Sequence, residues 1–433
     1  MKRLLTVLAV LALVPAGIAH ADTATTTLVS ATIDGGPSVG LSGAPSISAD
    51  GRYVAFTSSA TNLVPGDTNR ANDVFVRDRQ TGAVTRISVD STGLQANNSS
   101  GSPSISGDGR FVVFTSDATN LVAGDTNKAR DVFLHDLTTA ATSRISVSWL
   151  GEEADSDSYH PVISADGQHV AYDSYASNLI WQDTNGVHDV FEYDRPDNRT
   201  SRVSIDSNGR QGNGISQLPS ISADGRYVAF SSSASNIALF PDTNNADDVF
   251  VHDGLSGRTD RVSTDVNGEQ GNSASRYVVI SADGRFVAFN SYASNLVAGD
   301  TNNRNDMFVW DRQRFRMTRI DVGPDGQQLP DGTTSDVWPS ISADGRYVAY
   351  ESGADDLVAG DVNHAWDVFV WDRVTAGTSL ASVAGDGAQG DDYSEQPALS
   401  ADGRQLAFMS YASNFVPGTS RYSSNVYVRD LVG

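Results

Sequence analysis

The chain has 433 residues, no cysteine, and 53 acidic against 30 basic side chains, a formal net charge of −23 at pH 7. That balance argues against nucleic acid or anionic lipid as a general partner and suits metal cations, basic proteins or neutral glycans. The missing cysteines rule out disulfides and a lipid-modified cysteine at a processing site.

Residues 1–21 read as a secretory signal: Lys2 and Arg3, an apolar run from Leu4 to Ile18, then Ala19-His20-Ala21 as a small-x-small cleavage site. The run is too short and wrongly flanked for a spanning helix, and nothing later is long and apolar enough to cross a bilayer. The expectation is an exported periplasmic or extracellular protein, not a lipoprotein, whose residues 22–433 form one domain.

From there the chain repeats itself. A Ser-x-Asp-Gly element starts at Ser48, Ser106, Ser164, Ser222, Ser281, Ser342 and Ser400, in steps of 58, 58, 58, 59, 61 and 58 residues. A fixed period overrides the usual inference of several domains from length. In the first copy a short strand, Pro45–Ser48, ends in Ala49-Asp50-Gly51. Asp-Gly between β-rich runs predicts a two-residue hairpin with both turn residues at positive φ. The second strand, Arg52–Ser58, alternates Tyr53/Ala55 with Val54/Phe56, as suits a sheet packed on both faces. A loop through Asn62 and Gly66 leads to a third strand, Asp73–Asp78, and a turn at Thr81-Gly82 to a fourth, Val84–Val89. Helical periodicity of useful length is missing, so the chain reads as all-β.

Repeats of four strands around one axis make a propeller. In six copies the fourth-strand position (Ser88, Ser146, Ser204, Ser263, Asp321, Ser382) precedes a glycine by five residues, and Ser30 has Gly35 at the same offset. Thr25–Ala31 is then a fourth strand without its first three, while the seventh copy stops after its third, Asn425–Asp430. The expected architecture is a seven-bladed β-propeller of four-stranded blades in which the N-terminal strand completes the last blade.

The run Pro45-Ser46-Ile47-Ser48-Ala49-Asp50-Gly51-Arg52-Tyr53-Val54-Ala55-Phe56, with its later copies, resembles the repeat of the TolB-like, WD-repeat-like bacterial propellers over essentially the whole mature chain. The resemblance implies the fold and is weak for function, because such propellers serve as binding platforms, enzyme domains and scaffolds. The chain departs from TolB itself: it has seven repeats where TolB has six, and no N-terminal α/β domain. Trp310-Asp311 and Trp371-Asp372 echo the WD dipeptide, without the Gly-His pair of eukaryotic WD repeats.

Two constellations could carry chemistry. The loop before the third strand presents Asp67/Asn69/Asp73 and recurs as Asp125/Asn127/Asp131, Asp183/Asn185/Asp189, Asp242/Asn244/Asp248, Asp300/Asn302/Asp306 and Asp361/Asn363/Asp367. Two carboxylates and an amide oxygen on a tight loop could hold a hard cation such as Ca²⁺. The leading explanation is turn chemistry, with Asp67 and Asn69 capping the loop backbone and Asp73 anchoring a strand. The aspartate closing each third strand, Asp78 in the first copy, likewise reads as structural, since one active site needs no seven-fold copy.

Specificity is expected where the copies differ on one face. The pairs ahead of the inner strands are Gly43/Ala44, Gly101/Ser102, Tyr159/His160, Gln217/Leu218, Arg276/Tyr277, Val337/Trp338 and Glu395/Gln396, and they should ring the channel mouth. Tyr175, Tyr292 and Tyr411 replace small residues at the end of the second strand. The candidate ligand-binding set is therefore Tyr159, His160, Tyr175, Arg276, Tyr277, Tyr292, Trp338, Glu395 and Tyr411, the composition of a glycan- or peptide-binding cleft. The leading expectation is an exported, non-catalytic binding or scaffold propeller, monomeric, engaging a protein or glycan at the channel face. The enzyme alternative is a polysaccharide lyase or glycoside hydrolase using Tyr159, His160, Arg276 and Tyr277, with a base taking a proton and Arg neutralising a carboxylate. A third reading is a calcium-stiffened surface module. The bland reading of the mouth is that its large residues are rim or plug one side of the channel. No His-Glu-x-x-His, Gly-x-Ser-x-Gly or phosphate-loop pattern is present.

Overall fold

In each repeat the second and third strands carry the apolar run, and burial explains it. In Tyr53–Ser58 and Asp73–Asp78, Val54, Ala55, Phe56, Val74 and Phe75 are all 0% exposed. Both faces of such strands are covered because each blade is sandwiched between two others. Phe56 stacks on Phe75 with ring centroids 5.8 Å apart, and burying a side chain of that size contributes about 1.5–3 kcal/mol.

The computed structural model describes residues 24–329 and 338–431; the expected signal segment, residues 1–21, lies outside them. The described residues form seven four-stranded antiparallel sheets. Blade one comprises Ser42–Ile47, Tyr53–Ser58, Asp73–Asp78 and Val84–Arg86, and the next five follow in chain order. Blade seven joins Ser394–Leu399, Gln405–Ser410 and Asn425–Asp430 to the N-terminal Thr26–Leu28, with Thr26 opposite Arg429 and Leu28 opposite Tyr427. Val29, Val426 and Val428 then pack with Ile47, Val54 and Phe56 of blade one, so the closure is a continuous apolar core as well as a strand pairing.

Three local expectations need correction. The inner strand starts at Ser42, three residues before Pro45, because a bulge between Gly43 and Ser46 absorbs the irregular stretch. The first copy's fourth strand ends at Arg86, and Val89 makes only a single bridge to Gln95. The hairpin is not a two-residue turn with both residues at positive φ: Gly51 alone has φ +70°, and Ser48 N donates to Tyr53 O across four residues. Side chains impose this turn. Ser48 Oγ donates to Asp50 Oδ1 (2.7 Å) and accepts from Tyr53 N (2.9 Å), while Arg52 N also donates to Asp50 Oδ1 (3.0 Å). The glycine of the next blade is needed twice over: Gly109 has φ +71°, and a Cβ there would lie 2.2 Å from the Tyr53 ring.

The closing aspartate is structural, as expected. Asp78 takes both Arg52 Nε and Nη2 (3.0 and 2.8 Å) and accepts Gln80 N, and Asp136, Asp253, Asp311 and Asp372 repeat the clamp with Arg110, Arg226, Arg285 and Arg346.

The Ser-x-Asp-Gly turns also link neighbouring blades into a continuous ring around one end of the channel. Backbone hydrogen bonds run from Ala49 N to Gly107 O, Gly107 N to Ala165 O, Asp166 N to Ala223 O, Ala223 N to Ala282 O, Ala282 N to Ala343 O, Ala343 N to Ala401 O, and Ala401 N back to Ala49 O, at 2.9–3.2 Å. The ring accounts for a sequence feature: the residue after the serine is Ala or Gly in every copy. A Cβ at Gly107 would already lie 3.0 Å from Ala165 O.

Candidate functional site

The other end of the channel is built differently. Six of the seven inner strands carry a bulge there, between Gly43/Ser46, Gly101/Ser104, Tyr159/Val162, Gln217/Ser220, Arg276/Val279 and Glu395/Ala398. In these six blades the second member of the mouth pair sits in the left-handed region: Ala44 (φ 49°), Ser102 (50°), His160 (46°), Leu218 (58°), Tyr277 (53°) and Gln396 (58°). A non-glycine residue held there costs on the order of 1–3 kcal/mol. Bulges of this kind re-aim side chains, and here one is paid for in six blades around a single opening.

The side chains at this mouth divide into two groups. Blades three, five and six supply an aromatic group. Trp338 meets the His160 ring edge-on at 5.3 Å and the Tyr277 ring at 6.2 Å, and Tyr159 lies 6.0 Å from His160. Tyr159 and Tyr175 flank His188 at 5.6 and 3.5 Å between centroids. Beneath them the buried Asp173 accepts from His160 Nδ1 at 2.9 Å and from Leu218 N at 3.3 Å, and its Oδ2 lies 3.3 Å from His188 Nδ1. Burial holds the His188 imidazole below its ordinary pKa, against the pull of Asp173. Arg276 is placed at the same mouth, but its guanidinium is bound by Asp247 at 2.5 Å. Tyr292 is 45% exposed at the end of blade five's second strand. Val337 lies outside the described residues.

Blades seven, one and two supply the second group, and there the mouth is open. Gly43, Ala44, Gly101 and Ser102 leave a cavity of about 700 Å³, walled by Thr57, Asp117, Arg130, Glu395, Gln396, Met409 and Tyr411. The large residues thus fill one half of the mouth, and the space lies over the small ones. Gln396 shapes its edge: its Oε1 accepts Ala44 N at 2.6 Å and its own N–H donates to Glu351 Oε2 at 2.7 Å. Burial pushes the Glu351 carboxyl up to about 7, with Glu395 adding to the shift, and burial raises Glu395 as well. Arg130, the arginine of this wall, is held by both oxygens of Asp117 at 2.8 and 3.0 Å and lies over the Tyr159 ring at 5.3 Å.

Sequence reasoning missed Asp173, Glu351, Arg130 and His188. Asp173 and Glu351 share the fifth position of the second strand, which reads Thr57, Thr115, Asp173, Ser231, Asn290, Glu351 and Met409. Two carboxylates in an otherwise apolar strand were the available signal.

The Asp-Thr-Asn loops are clasped from within. Gln95 Nε2 bridges Asp67 Oδ1 and Asp73 Oδ2 at 3.0 and 3.1 Å, Ser88 Oγ donates to Asp73 Oδ1 at 2.6 Å, and Arg86 Nη1 lies 3.6 and 3.7 Å from the two carboxylates. Asn69 turns its NH₂ to Asp73 and its oxygen to Ala71 N, so the amide oxygen does not join the carboxylates. Gln211 and Arg202 repeat this at Asp183, Asn185 and Asp189. Gln270 bridges Asp242 and Asp248, with Arg261 on Asp248 and Asn244 on Gly271 O. Gln328 reaches Asp300 and Arg319 faces Asp306, which Asn302 also meets; Gln389 bridges Asp361 and Asp367, which takes Asn363. In blade two Glu153 replaces the glutamine, and Arg144 faces Asp125, Asp131 and Glu153, with Asn127 on Asp131. Asn69 makes the backbone cap expected of it, whereas Asp67 is held by the Gln95 and Arg86 side chains; blade six has Leu380 where the other five clasps have an arginine. Among the described residues no three His, Asp or Glu side chains gather to hold a metal ion.

No family model and no curated protein matches the chain. Solved structures do. An oligogalacturonate lyase in complex with manganese is 13% identical, with TM-score 0.54, covering 94% of this chain and 90% of the other. The β-propeller domain of the Trilobed protease from Pyrococcus furiosus is 12% identical, with TM-score 0.54, covering 90% and 93%. TolB from Acinetobacter baumannii is 15% identical at TM-score 0.42, and the match spans 58% of that protein. The two matches at TM-score 0.54 establish the propeller fold and nothing beyond it.

Proposed function

We propose that the protein is an exported, non-catalytic binding propeller that seats its ligand in the channel mouth, over blades seven, one and two. The observation that carries this reading is the 700 Å³ cavity left by Gly43, Ala44, Gly101 and Ser102. The opposite end is ringed by the same backbone contact in every blade, which gives it no blade-to-blade variation for recognition. Pockets of this size, with a few polar groups on a pre-formed wall, are the usual form of a ligand site. Export rests on residues 1–21, which read as a secretory signal; no helix among the described residues is long and apolar enough to cross a membrane.

Ser102→Tyr tests it. The substitution copies Tyr277, which occupies the same left-handed position in blade five, so it fills the cavity without new backbone strain. Immobilised oligosaccharide and random-decapeptide libraries should be captured by the wild type and lost by the variant at unchanged melting temperature. Capture that survives Ser102→Tyr contradicts the site.

The lyase or hydrolase reading draws on one observation, the His160–Asp173 pair at 2.9 Å, which fixes the imidazole with Nε2 available as a base. Against it stands Arg276, whose charge Asp247 already neutralises. Release of oligosaccharides from an acidic polysaccharide by the wild type, abolished in His160→Ala, would establish it over the binding reading.

A further inference from the structure

We propose that the group seated in this cavity is a lysine or arginine side chain projecting from a polypeptide partner. The inference rests on the reading of the cavity as a binding site and adds the chemistry of its ligand.

The charges on the wall do not balance. Arg130 is paired with Asp117 through two hydrogen bonds, which balance its charge. Among the described residues Glu395 has no such partner, and burial raises its carboxyl above the ordinary value. Glu351, one hydrogen bond behind Gln396, accepts a backbone N–H and faces no cation either. A part-buried carboxylate without a counter-ion is costly, and an incoming cation removes that cost.

The apolar parts of the wall distinguish an amino-acid side chain from a bare amine or an amino sugar. Met409 lies directly opposite Glu395 in the strand pairing, and Ala44 and Gly43 continue the surface. A lysine or arginine buries a flexible methylene stem and keeps its charged head at a polar group, which this order of surfaces matches. The Tyr411 ring at the rim adds a face for the cation. Beyond the mouth, a protein of net charge −23 draws a basic segment toward it.

The experiment selects decapeptides from a random phage-displayed library on the wild-type protein and keeps those lost on Ser102→Tyr and on Ser102→Leu, which copies Leu218 of blade four. The selected sequences should share one Lys or Arg. Replacing that residue by norleucine or citrulline, or Glu395 by Gln, should each weaken binding about ten-fold or more, and the two changes together should cost little more than one. Neutral or acidic selected peptides, no peptide captured at all, or a hexamer of β-1,4-glucosamine captured in their place would overturn the inference while leaving the cavity reading intact. Ligands that bind Ser102→Tyr and Ser102→Leu as well as wild type would overturn both. Matching melting temperatures of the variants exclude misfolding as the cause.

Discussion

At one end of the channel seven backbone bonds close a ring; it passes through the residue after each turn serine, which is Ala or Gly in every copy, with Asp166 as the donor in the third. At the other end the seven copies carry Gly, Tyr, Gln, Arg, Val or Glu at one position and Ala, Ser, His, Leu, Tyr, Trp or Gln at the next. Backbone contact between neighbours allows one solution, so the ringed end cannot vary. A bulge that turns its side chain toward solvent and channel allows many. Repetition therefore marks what holds the propeller together, and divergence marks what it can recognise.

Substitutions should separate the two ends by size of effect. Gly109→Ala, beside the ringed end, forces a Cβ to within 2.2 Å of the Tyr53 ring at φ +71°, and should cost about 3 kcal/mol or more in a denaturant titration. Arg86→Ala leaves Asp67 and Asp73 facing each other without their guanidinium. The expected loss is about 2–4 kcal/mol, visible as a lower melting temperature. The same assay on wild type should give a melting temperature unmoved by chelator or added Ca²⁺. A rise with Ca²⁺ would restore the calcium-stiffened reading.

Blade five supplies a pH test. Asp321 stands where other blades have a serine, fully enclosed against Asp306, and burial together with that neighbour raises its pKa well above the ordinary value. Burial likewise pushes Asp306 up to about 6. The native state thus holds these protons more tightly than the unfolded chain. The stability they contribute is fully present below about pH 4, the unfolded value, and is lost as pH rises through the raised native values. Asp321→Ser should stabilise the protein by about 1–2 kcal/mol at pH 8, and the gain should shrink toward pH 4. Equal gains at both pH values would show that the pair does not titrate as described. The smallest effect belongs to the open mouth: Ser102→Tyr should change stability by less than about 0.5 kcal/mol.

Much of this was legible in the sequence because a repeat displays its own constraints. The 58-residue step gave the blades, and the Ser30–Gly35 offset gave the composite blade that Thr26–Leu28 and Asn425–Asp430 form. The mouth was legible as the place where copies diverge. Its cavity was not: large side chains drew attention to Tyr159, His160 and Trp338, whereas space follows from Gly43, Ala44, Gly101 and Ser102. The turn was misread because Asp-Gly preference describes a two-residue hairpin, and here Ser48 and Asp50 hold a longer one through their side chains. The loop clasp was also visible in principle. Arg86, Arg144, Arg202, Arg261 and Arg319 recur in step with the paired aspartates, but they lie on a different strand, and only the fold brings the two together.

The central claim, that ligands enter at the divergent end and occupy the small-residue half of the mouth, is tested most directly by calorimetric titration of one library-selected decapeptide. Wild type, Ser102→Tyr and Arg404→Ala would be compared, the last altering an exposed side chain at the ringed end. Binding should be retained in Arg404→Ala and reduced at least about a hundred-fold in Ser102→Tyr, a difference of about 2.7 kcal/mol. Equal affinity in Ser102→Tyr and wild type, or loss only in Arg404→Ala, would contradict it.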